Sequence, residues 1–257
     1  MRAADGDAIL DAAQAAAADA GTKGMIPFGR PSGSGQGRPF LDHVLHSLAD
    51  AGVHDAALVL GPEHDAVRGY YRGLRTSRMR IAFVTQHEPL GTADAVAAAE
   101  GWSAGEPFLA LNSDNLYPVD VLSRLVAAAG PAVPGFEPDS LGLSRERLGH
   151  FALMEADARG CLARIVEKPG AAAIGTAGPG ATISMNVWRF DARIFQACRD
   201  VPVSERGERE LPQAVGLAAS RGVCFDVMPA RGPVLDLSSR QDVAAVRRAL
   251  EGAQVSL

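Results

Sequence analysis

The chain has 257 residues, 47% of them hydrophobic and 21% charged, the balance of a soluble folded domain with a sizeable core. A formal charge of -5 and an aromatic content of 5% exclude the basic, base-stacking surface that a nucleic-acid partner demands. No apolar run approaches the roughly 20 residues of a membrane span. Three widely spaced cysteines, Cys161, Cys198 and Cys224, predict neither a metal cluster nor a disulfide framework, so a cytoplasmic protein without a membrane partner is expected.

Residues 1–22 are alanine-rich, and Ala8 to Ala20 reads as a surface helix; its aspartates suit neither a signal sequence nor an acid-poor transit peptide. Gly29 to Pro39 contains Ser32-Gly-Ser-Gly-Gln-Gly37 and reads as a mobile spacer. No apolar strand runs into it and Pro39 follows, which disfavours a dinucleotide fingerprint. Phe40 to Ala51 sets Leu41, Val44, Leu45 and Leu48 on one helical face before Gly52. His43 and His46 share that helix without a third ligand and read as surface or half-buried side chains. Strand Ala56 to Leu60, helix Glu63 to Tyr71, strand Arg80 to Thr85, helix Thr92 to Ala99 and strand Pro107 to Leu111 follow. This βα alternation predicts an α/β fold with a doubly wound, mainly parallel mixed sheet of Rossmann-like type, binding ligands at the carboxyl ends of its strands.

The second half changes character. Phe151 to Glu155 and Leu162 to Val166 flank Asp157-Ala-Arg-Gly160 as a hairpin, and Thr182 to Phe190 reads as one strand. Helix Glu208 to Ala219, strand Val223 to Val227, a short strand at Val234 to Leu235 and a closing helix from Ser239 to about Glu251, capped by Ser238 or Ser239, complete a single domain over 1–257.

Chemistry-bearing residues fall just past the strands. Gln86 ends one of them with a side chain that both donates and accepts, as a base edge requires. Asp114 closes Phe108-Leu-Ala-Leu-Asn-Ser-Asp, and Asp236 follows Pro233-Val-Leu; carboxylates so placed suit a hard cation. Taken singly, each has a plainer reading: a turn aspartate, a solvated Lys23, a helix-capping Thr92, an exposed Glu167–Lys168 pair before Pro169.

Their fixed order weighs against the plainer readings. Lys23-Gly-Met-Ile-Pro27, Gln86 with Leu90-Gly-Thr-Ala93, Asn112-Ser-Asp114, Glu167-Lys-Pro169 and Leu235-Asp236 together resemble the sugar-1-phosphate nucleotidyltransferases, of the glucose-1-phosphate thymidylyltransferase and mannose-1-phosphate guanylyltransferase type. The resemblance spans roughly Lys23 to Leu250 and implies the nucleotide-diphospho-sugar transferase fold, with a nucleotide-binding half over 23–135 and a sugar-phosphate half over 136–257. It implies Lys23, Asp114 and Lys168 as catalytic residues, with Lys23 at the nucleotide phosphates. It further implies Gln86, Gly91 and Thr92 at the nucleobase, Glu167 at the sugar hydroxyls and Lys168 at the sugar phosphate. Asn186 would line the sugar pocket, and Asp114 and Asp236 would hold magnesium. Substrates would be a nucleoside triphosphate and a sugar 1-phosphate, and a homo-oligomer is compatible with the resemblance.

Members of that family open with a strand and a Leu-Ala-Ala-Gly-x-Gly-Thr-Arg loop that cradles phosphates. Nothing before Lys23 supplies them, and Met1-Arg2 would fit directly after such a loop, so a central strand is expected to be missing. A glycosyltransferase using nucleotide sugars would carry Asp-x-Asp, of which Asn112-Ser-Asp114 offers the second half. A noncatalytic nucleotide-sugar-binding module stands as the other reading.

Overall fold

The computed structural model describes residues 22–29 and 37–257; the helix expected at Ala8 to Ala20 and most of the Gly29 to Pro39 spacer lie outside the described residues. A 3-10 turn, Lys23–Met25, leads into a two-residue ribbon in which Pro27–Phe28 pairs with Arg38–Pro39. The first half alternates as its hydrophobic periodicity predicts: α1 (Phe40–Asp50), β1 (Asp55–Leu60), α2 (Asp65–Gly73), β2 (Arg80–Thr85), α3 (Thr92–Ala98) and β3 (Phe108–Leu111). Then come β4 (Asn115–Leu116), α4 (Val119–Ala127), β5 (Ala132–Phe136) and the short helix α5 (Arg145–Leu148). The hairpin β6 (Ala152–Ala156) and β7 (Leu162–Val166) precedes α6 (Gly170–Thr176), β8 (Thr182–Ser184), β9 (Val187–Phe190) and α7 (Arg193–Asp200). The chain closes with α8 (Leu211–Ser220), β10 (Asp226–Ala230), β11 (Leu235–Asp236) and α9 (Asp242–Ala249).

The architecture is mixed α/β. A seven-stranded sheet runs β3-β9-β5-β8-β6-β7, with β10 paired to β5. Parallel pairing occurs between β1 and β2 and between β5 and β10, and the other strand pairs are antiparallel, because the second half contributes hairpins in place of βαβ crossovers. Alternate residues of β9 serve two cores: Val187 packs with the α1 and α4 side, Trp188 and Phe190 with the α7 and α8 side.

Local differences from expectation have local causes. The single strand expected over Thr182 to Phe190 is broken at Asn186, whose φ of 59° takes it out of the sheet conformation. The helix expected from Glu208 starts at Leu211, since Arg209 is held by its N–H to the Leu90 carbonyl (2.6 Å) and its own carbonyl accepts from Ala93 N–H (2.9 Å). The closing helix starts at Asp242, whose carboxylate accepts from Ser239 N–H at 2.7 Å, while Ser238 Oγ donates to Asp236. His43 is buried, which holds its imidazole down at about 4, largely through desolvation.

The cysteine reading is corrected. Cys161 and Cys224, 63 positions apart, form a disulfide with Cα atoms 5.3 Å apart, brought together because Cys161 bridges to Asp226 beside β10. Cys198 is buried and free. Among the described residues no helix is long and apolar enough to cross a membrane.

The sheet is interrupted between β1 and β3. Among the described residues β1 pairs with β2 alone and β3 with β9 alone, and a cleft of about 1070 Å³ separates them. The two strands form its walls, and Leu41, Val44, Leu45 and Leu48 of α1 and Ala95 and Val96 of α3 also line it. Parallel pairs such as β1–β2 ordinarily have both faces covered. Here β3 is half-buried throughout and β1 buries Leu58 alone, whereas every residue of β5 is buried. Amide hydrogen exchange checks this directly. The amides of β1 and β3 that face the cleft should exchange orders of magnitude faster than those of β5. Equal protection would contradict an open cleft between β1 and β3.

Candidate active site

The pairing of β4 with β11 creates the acidic corner. Asp236 stands opposite Asn115, and Leu237 N–H donates to the Asp114 carbonyl at 2.9 Å, which fixes Asp236 beside Asp114. Asn115 Nδ2 donates to Asp236 Oδ1 at 3.1 Å. The 3-10 turn brings Lys23 Nζ to 3.5 Å from Asp114 Oδ2. Gly24 lets this turn approach closely, since a Cβ there would lie 3.3 Å from the Ser113 carbonyl oxygen. Burial pushes the Asp114 carboxyl above the usual range, Lys23 opposes that shift, and the charge of Asp236 adds to it.

Two oxygen donors at a strand end fit a hard divalent cation. Among the described residues no cluster of three or more metal-ligating side chains occurs, so the protein would supply Asp114 and Asp236, with substrate oxygens and water completing the shell.

A second corner is built around Gly91. Gln86 Nε2 donates to the Gly91 carbonyl at 3.0 Å and to Asp94 Oδ2 at 2.9 Å, which fixes the plane of the amide. Gly91 has φ of 101°, and a Cβ there would meet the Arg209 carbonyl oxygen at 2.6 Å, so glycine is required on both conformational and steric grounds. Thr92 is the first residue of α3 rather than its N-cap, a position Gly91 takes; its Oγ1 accepts from Leu211 N–H at 3.0 Å. The loop is thereby stitched to the start of α8.

A third corner follows β7. Glu167 and Lys168 form an ion pair at 3.5 Å, and Lys168 sits in the left-handed region at φ 47°. Asn186, at φ 59°, shares that conformation. Non-glycine residues there carry roughly 1 to 3 kcal/mol of strain and cluster at functional positions. Burial raises the Glu167 carboxyl above its ordinary range, Lys168 opposes this, and Glu210 reinforces it.

Arg206 Nη2 reaches Glu210 Oε1 at 2.8 Å and Glu208 Oε2 at 3.2 Å, which places a guanidinium on the same acidic cluster. The sequence pattern predicts one helix over Glu208 to Ala219 and gives no role to Arg206 or Glu210. The available signal was the charged run Glu205-Arg-Gly-Glu-Arg-Glu210 ahead of an apolar helix.

Lys23, Thr92, Asp114 and Asn186 line one cleft, with Asp236 beside Asp114. Gln86 and Gly91 adjoin it through Thr92, and Glu167 and Lys168 form a corner of their own.

A sequence profile described as Nucleotidyl transferase matches residues 31–228. The bifunctional protein GlmU of Methanococcus vannielii is 27% identical over 75% of this chain, which spans 41% of that protein's length. The UTP–glucose-1-phosphate uridylyltransferase AglF of Haloferax volcanii is 25% identical, covering 80% of this chain and 81% of its own. A solved UDP-glucose pyrophosphorylase complexed with UDP-glucose superposes with a TM-score of 0.71 at 17% identity, over 88% of this chain and 89% of that one, a likeness of fold. The match covers well over half of the residues, from the spacer before α1 to β10, and the chain belongs to the nucleotidyl transferase family.

Proposed function

We propose that this protein transfers a nucleotidyl group from a nucleoside triphosphate to a sugar 1-phosphate, releasing pyrophosphate. The observation that carries the reading is the convergence of Lys23, Asp114 and Asp236, from three distant parts of the sequence, at the end of β3 and the mouth of an apolar cleft. The names of the relatives support the substrate classes, since AglF is called a UTP–glucose-1-phosphate uridylyltransferase.

The chemistry asks little of the protein in covalent terms. An oxygen of the sugar phosphate, already ionised at neutral pH, attacks the α-phosphorus in line, the bond from that phosphorus to the bridging oxygen breaks, and pyrophosphate carries the electron pair away. No general base is needed, so rate comes from alignment and charge neutralisation. Magnesium held between Asp114 and Asp236 would neutralise phosphate charge.

Lys23, paired with Asp114 at 3.5 Å, would serve the triphosphate as a compact point charge. Gln86, its amide plane fixed by Gly91 and Asp94, would present its oxygen to the nucleobase beside the Gly91-Thr92 backbone. Glu167 presents a carboxylate to sugar hydroxyls, and Lys168, held at φ 47°, presents its ammonium to the sugar phosphate. Asn186 faces the same cleft as Asp114.

The two lysines separate the substrates experimentally. Lys168→Ala should raise the requirement for sugar phosphate roughly 10- to 100-fold with little change for the triphosphate, and Lys23→Ala the reverse, the size expected of charge-assisted contacts. Equal losses toward both substrates from either change would contradict the assignment.

Asp114 makes a second, independent check. Its charged form is disfavoured by burial, so Asp114→Asn should melt no lower than the parent protein while losing magnesium-dependent nucleotide affinity in calorimetric titration. An unchanged affinity in the folded variant would remove Asp114 from the cation site.

A further inference from the structure

Each of the two aspartates faces a basic side chain. Lys23 Nζ stands 3.5 Å from Asp114 Oδ2, and Arg147 Nη2 stands 3.0 Å from Asp236 Oδ2. The second pair was not foreseen from the sequence and belongs to none of the motifs.

The two oxygens of Asp236 are used differently. Oδ1 accepts from Asn115 Nδ2 at 3.1 Å and from Ser238 Oγ at 2.6 Å, both donors lying on or beside the β4–β11 pairing, so that oxygen is fixed by the fold. Oδ2 faces Arg147, which comes from the separate helix α5. The Asp236 side chain is 4% exposed and that of Arg147 38%, so a nearly buried carboxylate is faced by a guanidinium that itself reaches solvent.

Arg147 also has a second anchor, because Nη1 bonds Asp242 Oδ1 at 2.5 Å. Helix α5 is held independently: Gly170 N–H donates to the Gly149 carbonyl at 3.2 Å, and a Cβ on Gly149 would lie 2.6 Å from the Gly170 carbonyl carbon. A rotation of the Arg147 side chain toward Asp242 would therefore release Asp236 Oδ2 without moving the helix or leaving the guanidinium unpaired.

We propose that Arg147 is the resident counter-ion of the cation site. It neutralises Asp236 while no divalent cation is present and cedes Oδ2 when one binds, remaining tied to Asp242. Two carboxylates held side by side away from bulk water repel each other and need compensating positive charge. A guanidinium cannot shed its proton to leave, so it competes with the cation for the same oxygen at every accessible pH. Arg147 thus sets cation affinity rather than touching the reacting atoms. This inference rests on the reading of Asp114 and Asp236 as cation ligands given above.

Manganese binding to the whole chain, followed by electron paramagnetic resonance of free Mn²⁺, tests it. Arg147→Gln keeps polar contact but removes the charge, and should bind Mn²⁺ roughly threefold to tenfold more tightly, with Arg147→Lys close to the parent protein. Unchanged or weaker binding by folded Arg147→Gln, while Asp114→Asn loses binding, would overturn the role of Arg147 alone. Binding that neither variant alters would overturn the cation site and this inference with it. The parent protein gives a check that needs no substitution: the side-chain ¹⁵N resonance of Arg147 should shift on adding Mg²⁺, and a resonance that stays put at saturating Mg²⁺ would overturn the proposal.

Discussion

The candidate site depends on a two-residue antiparallel pairing. Asn115 opposite Asp236 and Leu116 opposite Leu235 is little hydrogen-bonded structure, yet it joins the end of β3 to a segment near the end of the chain. The Leu237 N–H to Asp114 carbonyl bond extends it by one rung. Without this register the aspartates belong to separate loops; with it they share a corner that also receives Lys23 and, on Asp236 Oδ2, Arg147. The packing that supports the register is apolar: Tyr117, Val234 and Leu237 are buried beside it, and the Tyr117 hydroxyl donates to the Met185 carbonyl at 2.6 Å. That last bond ties the corner to the break in the sheet at Asn186.

The surroundings keep charge in a costly state. Asp114 and Glu167 both have carboxyls raised by burial, each opposed by a lysine, and Lys168 and Asn186 both hold left-handed backbone conformations. Stability alone would favour neutral side chains and extended backbone at these positions. Such buried charge and strained backbone fit a proposed site whose ligands would bring their own charges, phosphates to the lysines and a cation to the aspartates. Side chains of opposite sign hold each other in place, Lys23 with Asp114 and Lys168 with Glu167.

Much of this was legible in the sequence because the motifs sit at strand ends, and strand ends are set by short-range patterning. Phe108 to Leu111 before Asp114, and Ile81 to Val84 before Gln86, are apolar runs whose termination places these side chains at strand ends. What was not legible depends on tertiary pairing. Nothing near Cys161 or Cys224 signals the other, because the strand partner that joins them is chosen by β10 docking on β5. Arg147 lies in a helix of four residues with no periodicity to read, and Arg206 lies in a turn closed by the Gly207 N–H to Ser204 carbonyl bond, just ahead of Arg209, which the Leu90 to Ala93 loop holds. The helix boundaries at Leu211 and Asp242 were missed for the same reason: contacts from elsewhere overrode local propensity. The broken strand at Asn186 reflects a backbone conformation that its flanking Val, Trp and Phe residues argue against.

Turnover is what separates one site for nucleotidyl transfer from a set of binding pockets. Phosphorus-31 NMR of the protein with Mg²⁺, a nucleoside triphosphate and a sugar 1-phosphate, surveyed over the common bases and hexoses, tests it most directly. A single transferase site should give, for at least one combination, paired resonances of a pyrophosphate diester growing in step with free pyrophosphate. Saturable binding of both substrates with no new phosphorus resonance in any combination would contradict it and leave a nucleotide-sugar-binding protein in place of an enzyme.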